Sequence, residues 1–298
     1  MQSRSNSGSR GRNADRSPTY NQRDDIGDHT NQLFVVGIGP GSLDHLTKRA
    51  KEVLASVDVV AGYNTYIELI RPLIEGKNII ATGMTQEVKR VEAAIEQALD
   101  TKSCAIVSSG DPGVYAMAGL VFETCQIKNI TIVPPGGRSG HLTDEETLTV
   151  EIIPGIPALC AGASLLGAPL THDFAAISLS DLLTSWEIIE ERLEAAARAD
   201  FVIILYNPKS KKRSWQLEKA QQIILKHRAK KTPVGIVARA MRQKQHVEIV
   251  PLEKLHEADV DMQTTVFVGS SASQRYRDFM FTPRGYSKKY RIDNDGIK

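Results

Sequence analysis

From Leu33 onward the chain alternates short apolar runs with stripes of apolar residues at helical spacing. Residues 33–39, LFVVGIG, form a compact apolar run closed by glycine, the pattern of a buried strand. Residues 43–57 then repeat Leu43, Leu46, Ala50, Val53 and Leu54 at helical spacing, which predicts a helix. VDVVAG (57–62), NIIATG (78–83) and CAIVSSG (104–110) predict further strands, TQEVKRVEAAIEQALD (85–100) a helix, and the residues after Asp111 another. Strands alternating with helices imply parallel βαβ units covered on both faces, with ligands at the carboxyl ends of the strands. Both glycine-rich turns, GIGPGS (37–42) and SSGDPG (108–113), fall at such ends.

The rhythm breaks at 129–149, where paired prolines, paired glycines and an acidic cluster predict a loop or small excursion near a domain junction. A second half follows. It comprises VEIIPG (150–155), a small-residue helix at 157–169, the strand FAAISLSD (174–181), a helix at 185–199 and the strand FVIILYN (201–207). After the basic turn PKSKKR come a helix at 217–229, the strands VGIVARA and HVEIVPL, and a final apolar strand TTVFVGS (264–270). Helices are fewer per strand here, which predicts some antiparallel pairing. The expected organisation is a tail at 1–31, an α/β domain at 32–150 with a parallel sheet, an α/β domain at 151–282 with a mixed sheet, and a basic tail at 283–298.

At 298 residues and 41% apolar composition the chain has material for two cores, and a net charge of +2 gives no case for nucleic acid. Residues 1–31 carry almost no large apolar side chain, with five arginines against four aspartates, and are expected not to pack. No run of eighteen apolar residues predicts a membrane span. Cys104, Cys125 and Cys160 are odd in number, widely spaced and set among apolar residues. They read as buried thiols in a reducing, cytoplasmic setting, and no spacing in the chain suggests a metal site.

GIGPGS is neither the dinucleotide fingerprint, whose third glycine would fall at Ser42, nor a P-loop, since no Gly-Lys-Ser/Thr follows. In SSGDPG, Asp111 precedes a proline. It reads either as the N-cap of the next helix or as a ligand-binding acid. A carboxylate would repel phosphate but suits a ligand carrying an ammonium and a sulfonium, and S-adenosylmethionine is such a ligand.

GIGPGS, SSGDPGVYAMAG, IIPGIPA, LLGAPLTHDFAAISLSDLLTSWEIIEERL and ILYNPKSKKR occur here in the order found in one family. Over about residues 33–282 the chain resembles the tetrapyrrole (corrin/porphyrin) methylases, and within them the precorrin-3B C17-methyltransferases of cobalamin biosynthesis. The resemblance implies a homodimer of two α/β domains with S-adenosylmethionine in the cleft between them and a tetrapyrrole, metal-free or cobalt-bearing, in an adjoining trough. It implies that Gly39 and Pro40 lie against the cofactor, and that Gly110, Asp111, Pro112, Val114 and Tyr115 hold its methionine end. Ala158, Tyr206, Asn207 and Ala240 would surround the adenosine. Pro157 stands where the family commonly carries serine or threonine, and the 129–149 insert is longer than the family's junction.

Three further groups are candidates. His172 and Asp173, at a strand start expected beside the cleft, are either the proton-exchanging pair of ring contraction or a local capping pair, with Asp181 an alternative acid. Ser178, Ser180 and Asp181 are cleft groups or turn formers. Lys209, Lys211, Lys212 and Arg213, with Arg239 and Arg242, are a solvated face or the cations that clamp a polycarboxylate substrate.

Overall fold

The structure, a computed structural model, describes residues 31–100, 103–136, 147–210 and 213–290. The expected tail therefore lies outside the described residues except for Asn31, as do Lys211, Lys212, part of the 129–149 insert and the end of the C-terminal tail.

The first half runs β1 (Gln32–Gly37), α1 (Lys48–Ser56), β2 (Val59–Tyr63), α2 (Asn64–Ile70), β3 (Asn78–Thr82), α3 (Glu87–Leu99), β4 (Ser103–Ser108), α4 (Met117–Ile127), β5 (Thr131–Val133) and β6 (Thr147–Ile153). The six strands form one all-parallel sheet in the order β3-β2-β4-β1-β6-β5. Its central strands are buried on both faces, as their unbroken apolar runs require. Leu33, Val35, Cys104 and Ile106 face Val91, Ala94, Ile95 and Val121 of α3 and α4. Phe34, Val36 and Val107 face α1 and α2 on the other side.

Three expectations are corrected here. VEIIPG does not open the second half, because β6 pairs in parallel with β1 and completes the first sheet. The 129–149 stretch is not loop at its ends, since Thr131–Val133 and Thr147–Thr149 pair as adjacent parallel strands. Finally, no helix begins directly after Asp111. Tyr115 takes φ +52°, Ala116 is extended, and α4 starts only at Met117.

The second half runs α5 (Ala158–Leu166), β7 (Gly167–Ala168), β8 (Phe174–Ser178), α6 (Trp186–Arg198), β9 (Val202–Tyr206), α7 (Gln216–Leu225), β10 (Pro233–Ala238), β11 (His246–Pro251), β12 (Thr264–Val268), β13 (Gln274–Tyr276), β14 (Phe279–Phe281) and α8 (Tyr286–Lys289). Its main sheet, β11-β10-β12-β9-β8, is mixed: only β8 and β9 are parallel. TTVFVGS is not the last strand, because β13 and β14 form a hairpin that adds β7 to make a small third sheet. α6 and α7 cover one face of the mixed sheet through Ile189, Leu193, Ala220 and Ile224. α5 covers the other, and Gly162 lies so near the Phe267 ring that a Cβ there would come within 2.6 Å of it.

Among the described residues no helix is long and apolar enough to cross a membrane.

Candidate cofactor and substrate cleft

The strands β4, β1 and β6 are neighbours, and the turns that leave their carboxyl ends are fused through backbone. Gly39 and Gly110 exchange two hydrogen bonds, Gly39 N to Gly110 O at 3.1 Å and Gly110 N to Gly39 O at 2.7 Å. Both glycines have positive φ, +66° and +70°, which side chains rarely tolerate. The turn after β6 packs on them so closely that a Cβ on Gly155 would sit 2.1 Å from the Gly110 carbonyl oxygen. A Cβ on Gly37 would meet Gly155 N at 2.6 Å. Four glycines thus let three chain segments touch where any side chain would separate them.

Asp111 joins the same turns. Its Oδ1 accepts from Gly113 N at 2.8 Å and its Oδ2 from Gly155 N at 3.1 Å. It is therefore not the N-cap of α4, the bland reading of that residue. A carboxylate accepts about four hydrogen bonds, so half of this capacity stays open on a half-buried group. That open acceptor fits an ammonium group and not a phosphate.

The extended segment ahead of α4 projects Tyr115 across the cleft. Its hydroxyl donates to Ala176 O of β8 at 2.8 Å, and its ring lies 5.1 Å from that of Tyr206 at the end of β9. Tyr206 Oη accepts from Leu159 N at 2.9 Å, near the start of α5. Pro157, the N-cap of α5, offers no side-chain acceptor, so the Tyr206 hydroxyl performs the capping that a serine or threonine would otherwise supply. Burial pushes the Tyr206 phenol up to about 12, so this cap stays neutral across the physiological range. Ala240 packs in the same cluster as Tyr206 and Leu159. Asn207, at φ +52°, donates from Nδ2 to Ser178 Oγ at 2.9 Å. Ser178 Oγ also accepts from Ser180 N, so these serines serve as turn formers. Gly39, Gly110, Asp111, Tyr115, Tyr206, Asn207 and Ala240 thus lie about the carboxyl ends of the two sheets.

The expected cations divide. Arg242 reaches from the loop after β10 to the first sheet's turns, its Nε donating to Pro40 O and its Nη2 to Ser109 Oγ at 2.7 Å. Arg213 is buried, with Nη1 on Leu179 O at 3.0 Å and Asn207 O at 3.1 Å, and braces the turn after β8 instead of standing on an open rim. Arg239 is paired with Asp261, and Lys209 is half-buried.

His172 and Asp173 do not lie beside the cleft. Asp173 O accepts from Val202 N at the amino ends of β8 and β9, whereas Ser178 and Tyr206 mark the carboxyl ends that face it. At about 3.3 Å per residue, roughly 16 Å of strand separates Asp173 from Ser178. His172 Nδ1 accepts from Asp173 N at 2.9 Å, both side chains are largely exposed, and they line a cavity of about 730 Å³ with Phe201 and Arg284 at that far end. Asp181 is on the cleft side, half-buried, its Oδ2 accepting from Gln216 Nε2 at 3.0 Å.

The cysteines divide too. Cys104 and Cys125 are buried, and burial raises the Cys104 thiol to about 12. Cys160 is exposed in the first turn of α5, contrary to expectation, because the buried face of that helix runs through Ala161, Gly162 and Leu166.

One residue of the cleft escaped sequence reasoning. Arg90 lies among charged neighbours and reads as solvated surface, yet it is 3% exposed and caps the end of β3. Its spacing with Ala94 and Ala98, both buried on α3, was the available signal.

A parallel sheet and a mixed sheet thus form an α/β protein of two halves that meet over glycine turns and an acid, and comparison identifies its family. The family model for Tetrapyrrole (Corrin/Porphyrin) Methylases matches residues 32–256, and the chain belongs to that family. It is 47% identical over 262 residues to a protein of Priestia megaterium named cobalt-factor III methyltransferase, an alignment covering 88% of this chain and 46% of that protein. It is 43% identical over 257 residues to a probable cobalt-factor III C(17)-methyltransferase of Salmonella typhimurium, covering 86% of this chain and 99% of that one. This chain therefore spans less than half of the first relative and nearly all of the second. Among solved structures, that of the methyltransferase CobJ superposes with a TM-score of 0.75 at 35% identity, covering 85% of this chain and all of the other.

Proposed function

We propose that this chain is an S-adenosylmethionine-dependent methyltransferase acting on C17 of cobalt-factor III, or of metal-free precorrin-3B, with contraction of the macrocycle, in cobalamin biosynthesis. The observation that carries the reading is the fused glycine turn bearing Asp111, in a chain similar over most of its length to relatives named for that reaction.

In this reading Gly39 and Pro40 would lie against the cofactor, Gly110, Asp111, Pro112, Val114 and Tyr115 would hold its methionine end, and Ala158, Tyr206, Asn207 and Ala240 its adenosine. When bound, the cofactor supplies a methyl group on a sulfonium, whose departure needs no acid. The protein's part is alignment and exclusion of water. Asp111 takes the ammonium and fixes the orientation of the methyl donor. Tyr115, latched to β8, closes one side of the cleft. Ring contraction needs a proton taken from a hydroxyl and one returned to a departing oxygen, and Asp181 is the candidate, with Gln216 orienting its carboxylate. Arg242, Arg239 and Lys209 supply positive charge toward a polycarboxylate substrate. A homodimer located in the cytoplasm completes the proposal.

Anaerobic incubation with S-adenosylmethionine and either tetrapyrrole, read by mass and absorbance, tests it. The expected product is one methyl group heavier and ring-contracted. Turnover of another ring intermediate instead would make the chain a methylase of a different position, and binding without turnover of any would make it a non-catalytic pathway protein.

A further inference from the structure

Most of the buried and half-buried arginines are held in place: Arg228 pairs with Asp200 at 3.2 Å and adds carbonyls of Ala197, Phe201 and Gly269, Arg49 pairs with Glu151 at 2.6 Å, Arg239 pairs with Asp261, and Arg213 donates to two carbonyls and meets the Met262 thioether. At the carboxyl ends of the first sheet, Arg90 and Arg242 have no carboxylate within 4 Å among the described residues.

Arg90 is the less satisfied of the two. Nε donates to Thr82 Oγ1 at 2.7 Å and Nη2 to Gly83 O at 3.1 Å, but Nη1 meets only the Met117 thioether at 3.7 Å. A thioether is a weak acceptor on a flexible side chain, and a buried cation held by neutral groups keeps a large unrecovered desolvation cost. Burial accordingly lowers the Arg90 pKa, with Glu87 opposing from longer range. Strand β2 lies between β3, whose end Arg90 reaches, and β4, whose turn Arg242 reaches, and it leads through Tyr63 into Tyr66 of α2, whose phenol feels both charges. The Tyr66 ring lies 5.2 Å from that of Tyr63, edge to face. The result is a shelf over the ends of β2 and β3, beside the glycine turns, with two uncompensated guanidinium groups and an aromatic wall.

We infer that this shelf is a carboxylate-binding subsite for the tetrapyrrole, in which Arg90, uncovered by a shift of Met117, and Arg242 receive acidic side chains of the macrocycle. The inference rests on the proposed substrate. A guanidinium fork matches a carboxylate in two hydrogen bonds, which a lysine ammonium cannot reproduce.

The test is steady-state kinetics of the full chain with cobalt-factor III, comparing wild type with Arg90→Lys and Arg90→Met, alongside S-adenosylhomocysteine affinity and thermal midpoint. Arg90→Lys is expected to raise KM for cobalt-factor III about tenfold, with kcat and S-adenosylhomocysteine affinity within twofold, and Arg90→Met is expected to raise it further. Arg90→Lys keeps a donor for Gly83 O and so separates recognition from bracing if Arg90→Met does not fold. Unchanged KM in Arg90→Lys would overturn the inference and leave Arg90 as a brace of the β3 end. If the wild type neither binds nor methylates cobalt-factor III or precorrin-3B, the proposed function falls and this inference with it. If the wild type turns over and both variants match it, only this inference falls.

Discussion

The two walls of the cleft are built from different materials. On the first sheet's side the working surface is backbone: Gly37, Gly39, Gly110 and Gly155 touch one another, and Asp111 is the acidic side chain that ties them. On the second sheet's side it is side chains: Tyr206 caps α5, Asn207 holds Ser178, and Gln216 holds Asp181. A backbone wall admits no added atom, because the neighbour it would strike is another main chain. A side-chain wall can lose a single hydrogen bond and keep its shape. The first should therefore fail abruptly on substitution and the second gradually.

Gly155→Ala should give the largest effect. The new methyl cannot coexist with the Gly110 carbonyl, so the turns must separate, at a cost of about 3 kcal/mol by the usual scale of overpacking. Thermal unfolding should show the loss, and calorimetry should show S-adenosylhomocysteine binding abolished. A stable variant that binds normally would mean that the turns are not a rigid unit.

Tyr206→Phe is the corresponding probe of the other wall. It removes one acceptor from the Leu159 amide, so denaturant titration should record a loss of about 1 kcal/mol, with cofactor affinity reduced only a few-fold. A loss as large as that of Gly155→Ala would erase the distinction between the walls.

The smallest effect is expected at His172. It sits at the amino end of β8, so His172→Ala should leave both methyl transfer and ring contraction within about twofold of wild type, whereas Asp181→Asn should slow contraction while sparing cofactor binding. Product analysis of a single turnover would show it. Slowed contraction in the His172 variant would require a route from the far end of the sheet that the geometry does not supply.

The same contrast explains what could be read before the fold was known. The backbone wall was legible because glycine in a turn after an apolar run has few other uses, and both turns are quoted almost whole in the motifs. The partnering of strands was not. VEIIPG reads as a strand, but nothing in its six residues says that it joins β1 and not the second sheet. The direction of β8 was equally silent, so His172 and Asp173 could be placed at a strand start but not at the end remote from the cleft. α2 and the β13–β14 hairpin went unseen because each is short, and β13 is exposed throughout, without the apolar alternation that marks a strand. Arg90 was hidden by its polar neighbours although its helical spacing points inward.

The central claim is that Asp111 in the fused turns is the anchor for the cofactor's positive end. Isothermal titration of S-adenosylhomocysteine, which keeps the ammonium, into wild type and Asp111→Asn tests it most directly, since asparagine keeps the size of the side chain and one of its two acceptors but not the charge. A charge-assisted hydrogen bond of about 1.5–3 kcal/mol predicts an affinity loss of roughly tenfold to a hundredfold, beyond the stability loss of about 1–3 kcal/mol expected where Nδ2 faces one of the two turn amides. Equal affinity in the two proteins would contradict the account and return Asp111 to a purely structural tie between Gly113 and Gly155.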